Sequence, residues 1–180
     1  MHVLLVAALL LAAPAATAQH RHGGHGLPAS GAAAQPYAGL ETRRVKALPA
    51  ESEADLPAGR GMAVALAAEL NAHPGPMHVL EHAAALQLTP AQRARAEALE
   101  AAMRGEAQAL GARIVALEGE LDALFAGGRA EAAAVATLAE RIGALGGRLR
   151  GVHLLAHVEM RAALTPEQVA AYDRLRGYRR

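Results

Sequence analysis

Cysteine is absent from the 180 residues, which removes disulfides, thiolate metal sites and cysteine nucleophiles. Tryptophan is absent too, and only Tyr37, Phe125, Tyr172 and Tyr178 are aromatic. Sheets draw on aromatic and β-branched residues, so the chain is a poor sheet former. Serine occurs only at Ser30 and Ser52, both in segments read below as irregular, which leaves no buried serine triad. A single lysine, Lys46, stands among 18 basic residues, and 17 acidic residues nearly balance them. The net charge of +1 supplies no field that would favour nucleic acid.

What fills the chain instead is alanine and leucine, within an apolar fraction of 53%. Both are strong helix formers, and together they suit long helices packed closely side by side. The fold class is therefore all-α. The length is that of one domain.

Val3 to Ala13 is an apolar run of secretory length, too short for a comfortable membrane span. Ala16-Thr17-Ala18 follows with the small-x-small pattern that signal peptidase prefers. Residues 1–18 thus read as a signal peptide, with the mature chain starting at Gln19 in the periplasm. The alternative is an uncleaved membrane anchor, since the segment ahead of the run has no lysine or arginine. Residues 19–58 read as a disordered or irregular arm, first rich in Gly, Ala and His, then interrupted by Pro49 and Pro57. Its histidines His20, His22 and His25 suit a loose metal-scavenging tract or a merely soluble tail.

Residues 59–178 read as the helical domain. Arg60 to Ala72 and Met77 to Gln87 form two short helices, split by the breaker cluster His73-Pro74-Gly75-Pro76. Leu88-Thr89-Pro90-Ala91-Gln92 then starts a long helix, with Thr89 as N-cap, Pro90 at the first helical position and Gln92 as capping-box partner. From there Leu99, Met103, Leu110, Ile114, Leu117, Leu121 and Leu124 recur at heptad-like spacing up to Gly127-Gly128. Val135, Leu138, Ile142, Leu145, Leu149 and Val152 make the matching return seam. The pair predicts an antiparallel hairpin of Pro90–Phe125 and Ala130–Ala163. Gly143, Gly146, Gly147 and Gly151 in the return arm allow a bend or a close helix approach. A second cap, Leu164-Thr165-Pro166-Glu167-Gln168, opens a last helix ending near Gly177.

The two halves echo each other. His78-x-x-x-His82 precedes the first Leu-Thr-Pro-x-Gln segment, and His153-x-x-x-His157 precedes the second. Residues i and i+4 share a helix face, so each pair presents two imidazoles to one point. Met160 follows His153 at i+7 on the same face. The hairpin brings the two segments together, which predicts a shared site for a divalent transition metal: Zn, Cu, Ni or Co. A thioether shifts the preference toward copper. The plain alternative is surface histidines flanking an apolar stripe, which one such pair does not exclude.

Paired LTxxQ segments on a helical hairpin resemble the Spy/CpxP family of periplasmic proteins. The stretch Glu159 to Glu167, followed by Ala171-Tyr172-Asp173-Arg174, is most similar to the branch of heavy-metal sensors and resistance proteins. The resemblance covers Met77 to Tyr178, and Tyr37 to Asn71 has no part in it. It implies metal ligands at His78, His82, Glu100 and Met160. Family spacing puts the partner histidine at Ala156, whereas this chain has His153 and His157. It also implies a homodimer acting in heavy-metal or envelope-stress resistance. The alternative it carries is an ATP-independent holdase that grips unfolded periplasmic clients, or a sensor with a membrane signalling partner.

No enzyme is expected. His78-x-x-Glu81-His82 has the order of an inverted zincin motif. That motif needs a distant third ligand and a substrate cleft, which a small helical hairpin does not offer.

Overall fold

The structure, a computed structural model, describes residues 35–61 and 63–178. The segment expected to be an export signal and the histidines His20, His22 and His25 lie outside the described residues. Every element below belongs to the second of the chain's two compact units, Tyr37–Arg180. All regular elements among the described residues are helical: a 3₁₀ turn at Leu40–Thr42, then α1 (Ala50–Ala58), α2 (Leu66–Glu69), α3 (Pro76–Glu81), α4 (Pro90–Ala126), α5 (Ala132–Ala163) and α6 (Pro166–Leu175).

The expected hairpin is there. Helix α4 has 37 residues, about 55 Å at 1.5 Å per residue, and α5 returns along it. Leu110, Ile114 and Leu117 are buried against Leu138, Leu145 and Leu149, with Leu121, Leu124, Ile142 and Val152 half-covered at the edges. Met103 departs from its expected place in the seam. It is only half-buried, whereas the small Ala107 one turn on is fully buried.

Both expected capping boxes form. Thr89 Oγ1 accepts from Gln92 N, and Gln92 Oε1 accepts from Thr89 N; Thr165 and Gln168 repeat the exchange. The two motifs then lock to each other. Gln92 Nε2 donates to Gln168 Oε1 at 2.8 Å, and Gln168 Nε2 donates back to Gln92 Oε1 at 3.0 Å. The second amide hydrogens reach Ala163 O and Leu86 O. Each amide thereby uses both donors and both acceptor sites. Around this clamp Val79, Leu86, Ala96, Leu99, Met160, Leu164, Val169 and Tyr172 form a second apolar cluster.

Outside the hairpin several expectations are corrected. The arm read as irregular holds α1. Glu51 and Glu53 sit in its first turn, where the helix dipole favours negative charge. Gly59, with φ of 68°, closes it through bonds from Gly59 N to Leu56 O and from Arg60 N to Asp55 O. Helix α1 lies against α4 at Gly111, where a β-carbon would fall 1.9 Å from Leu56 O. Only glycine permits that backbone approach.

Arg60 to Ala72, expected to be helical, is mostly turns, because Ala63 and Ala72 take positive φ, and only α2 is helical. The helix expected at Met77 to Gln87 stops at Glu81. The glycines of α5 meet no neighbour: a β-carbon at Gly143, Gly146, Gly147 or Gly151 would touch nothing within 4 Å. They make no close approach within this chain, and α5 runs through them unbroken.

Candidate functional site

On α5, the turns carrying His153 and His157 lie between Leu149, which belongs to one apolar cluster, and Met160, which belongs to the other. The strap of turns between α1 and α3 crosses these turns. Proline sets its course: Pro74 and Pro76 are fully buried, and Gly75 between them is buried as well.

Each of three histidines commits its Nδ1. His153 Nδ1 contacts Leu149 O at 3.0 Å, His157 Nδ1 contacts His73 O at 2.6 Å, and His78 Nδ1 contacts Glu81 Oε2 at 2.8 Å. Carbonyls and carboxylates only accept, so Nδ1 carries the proton in each ring. In the neutral form of each ring, the lone pair is then on Nε2, the arrangement a metal ligand needs. All three rings line one pocket of about 600 Å³. His153 is 3% exposed, and its Nε2 is buried with no hydrogen-bond partner. A buried polar atom left unpaired costs about 1–3 kcal/mol.

Glycine makes room at one of these nitrogens. A β-carbon at Gly75 would stand 2.8 Å from His157 Nε2, whereas one at Gly61 would make only ordinary contact with the His153 ring, 3.7 Å from its Nε2. Burial holds the His157 imidazole below its ordinary value. The bond to the His73 carbonyl and the Glu69 carboxylate oppose that shift, while His153 and His78 reinforce it. His157 is therefore neutral at neutral pH. Glu81 is held below the usual carboxylate range, chiefly by its bond to His78.

Glu100 lines the same pocket and is ion-paired with Arg104 one turn on. Four of the six residues singled out by sequence thus share one cavity: His78, Glu100, His153 and His157. The other two do not. His82 caps the end of α3, and its ring lies edge-on to Tyr172, with centroids 6.3 Å apart. This split also disassembles the inverted zincin motif, whose Glu81 is tied to His78. Met160 is fully buried in the apolar cluster. Its i+7 spacing gives the right helix face but sets it about 10 Å further along the axis than His153, where the apolar cluster closes over it.

Reasoning from sequence missed Glu69. It is 6% exposed, accepts from Tyr172 at 2.5 Å and Tyr178 at 3.0 Å, and receives Gly75 N at 3.3 Å. It also lies 3.6 Å from His157 Nδ1, so it braces both the strap and the ring. Burial and this bond push the Tyr172 phenol far above its ordinary value. A carboxylate in an otherwise Ala- and Leu-rich short helix was the available signal.

The donors surround the pocket without being gathered on one point. Among the described residues, no three His, Asp or Glu side chains stand together closely enough to hold an ion. Their types still fit a transition metal: three imidazole Nε2 atoms, one of them buried and unpaired, beside a carboxylate. Holding an ion would require these groups to converge and Glu100 to leave Arg104.

A family model described as heavy-metal resistance matches residues 58–171. That span reaches further toward the N-terminus than the resemblance drawn from the LTxxQ segments, and it takes in the strap with Glu69, His73 and Gly75. No curated protein matches the chain, and no solved structure does.

Proposed function

Because this chain belongs to the heavy-metal resistance family, we propose that it acts in the periplasm as a non-catalytic binder of a transition-metal ion. The ion is zinc, copper, nickel or cobalt. His78, His153 and His157 hold it through Nε2, with Glu100 as oxygen donor. The observation that carries this reading is the buried, unpartnered Nε2 of His153, in a pocket it shares with two further rings that are proton-committed at Nδ1. Glu81 and the carbonyls of Leu149 and His73 fix the tautomer and orientation of each ring, the role outer-shell acceptors play at metal sites. Periplasmic placement is supported by the export signal read at residues 1–18. No helix among the described residues is long and apolar enough to cross a membrane.

The test is metal content and isothermal titration on the purified chain, wild type against the His78→Ala, His153→Ala double variant. One ion per chain, lost in the variant while helicity persists, is the expected result. Equal binding by both proteins, or none by wild type, refutes the site. Cell fractionation checks the compartment. A holdase role has one observation in its favour, the exposed apolar side chains of Phe125, Leu155 and Val158. It predicts suppression of client aggregation that the histidine substitutions leave intact.

A further inference from the structure

The histidine pocket also carries sulfur. Of the described methionines, Met160 is fully buried in the apolar core. Met77 and Met103 belong to neither apolar cluster, and both line the pocket. Met103 stands in the α4 seam between buried Leu99 and Leu110, yet it is only half-buried. Met77 is 44% exposed and directly precedes His78. Neither thioether is sealed in the core, and both share the pocket with the imidazole donors.

Charge separates these donors from the rest. The pocket's carboxylates are already engaged: Glu100 with Arg104, and Glu69 with two tyrosines and with Arg176 at 3.5 Å. Glu100, the carboxylate donor of the reading above, must leave Arg104 to bind, and the other donors carry no negative charge: imidazole nitrogens and thioethers. Such a set offers a divalent ion little charge neutralisation while Glu100 stays with Arg104, and thioether sulfur favours soft ions such as monovalent copper over hard ones. Soft monovalent ions are suited by both features.

We infer that this pocket is a soft-ion site in which Met77 and Met103 join the histidines and set a preference for monovalent copper or silver over zinc. The inference rests on the histidine-pocket reading above and narrows its ion. Silver(I), which needs no reductant to stay monovalent, is the probe, with zinc as reference. The chain carrying [¹³C-methyl]methionine is titrated with each ion, as wild type and as the Met77→Leu, Met103→Leu double variant. Leucine preserves volume closely, and circular dichroism reports folding.

Silver is expected to shift two methionine methyl resonances that the double variant lacks, and to leave Met160 unmoved. The ratio of silver to zinc affinity should fall at least about tenfold in the variant, since even outer-shell changes alter metal affinity by 10–100-fold. Zinc binding with no silver preference, or silver binding that ignores both substitutions, overturns the soft-ion inference and leaves the histidine site standing. Failure of wild type to bind either ion removes both.

Discussion

Gly75→Ala tests the site by a single methyl group. The backbone at Gly75 has φ −79° and ψ 146°, ordinary extended geometry that alanine adopts without strain. The whole effect is therefore steric. The new β-carbon would lie 2.8 Å from His157 Nε2 and 2.9 Å from Cε1, well inside van der Waals contact. The ring must turn away, and its Nδ1 is pinned to His73 O at 2.6 Å. Losing that buried hydrogen bond costs about 1–3 kcal/mol. If the ring must return to its position to ligate, the same energy weakens zinc binding by about 5- to 150-fold, at tenfold per 1.4 kcal/mol.

The assay is competition against a chromophoric chelator, with thermal unfolding in parallel. Gly105→Ala is the control. It sits on exposed α4 with nothing within 4 Å of its β-carbon, so it should raise stability by up to about 1 kcal/mol and leave zinc affinity alone. Wild-type zinc affinity in Gly75→Ala would refute the placement of His157 Nε2 as a ligand, whatever happened to stability.

Other outcomes follow from the same geometry. His157 has a depressed folded-state value, so the unfolded chain takes up its proton first. Stability should fall as pH drops below about 6.5, the ordinary histidine value. His157→Asn should flatten part of that decline in urea titrations at pH 7 and pH 5. Gly111→Ala places a β-carbon 1.9 Å from Leu56 O and should drive α1 off α4. The expected signs are protease cleavage within residues 50–59 and a loss of about 1.5–3 kcal/mol from exposing Leu56. A homodimer is expected through the outer face of α5, where Leu155 is 62% and Val158 51% exposed beside glycines with open space above them. Light scattering should give twice the chain mass, and a monomer across micromolar concentrations would contradict it.

The hairpin and its caps were legible because they are written in local code. Thr89-Pro90 and Thr165-Pro166 announce helix starts, and leucine spacing announces a seam. The docking of α1 was not legible, because its key contact joins the Gly111 backbone to the Leu56 carbonyl, and no side-chain pattern records that. The site was legible in part. Spacing identifies a helix face but says nothing about what covers each turn of it. His153 and His157 meet the strap, while Met160, on the same face, meets apolar core. His73-Pro74-Gly75-Pro76 was readable as a breaker. Its second role, offering a carbonyl to His157 and space at Nε2, depends on a partner 84 residues away.

The Gln92–Gln168 clamp has a consequence for how this sequence is free to change. Each side-chain amide both gives a hydrogen to the other and takes one back. A glutamate at either position cannot return the hydrogen at neutral pH, and it would also face the other amide's oxygen. Two glutamates would repel across the gap, and two lysines or arginines would leave both N-cap N–H groups without an acceptor. Neither position can drift alone without breaking bonds at both helix starts. Substitutions here should be strongly non-additive, so that the second loss at the clamp costs far less than the first.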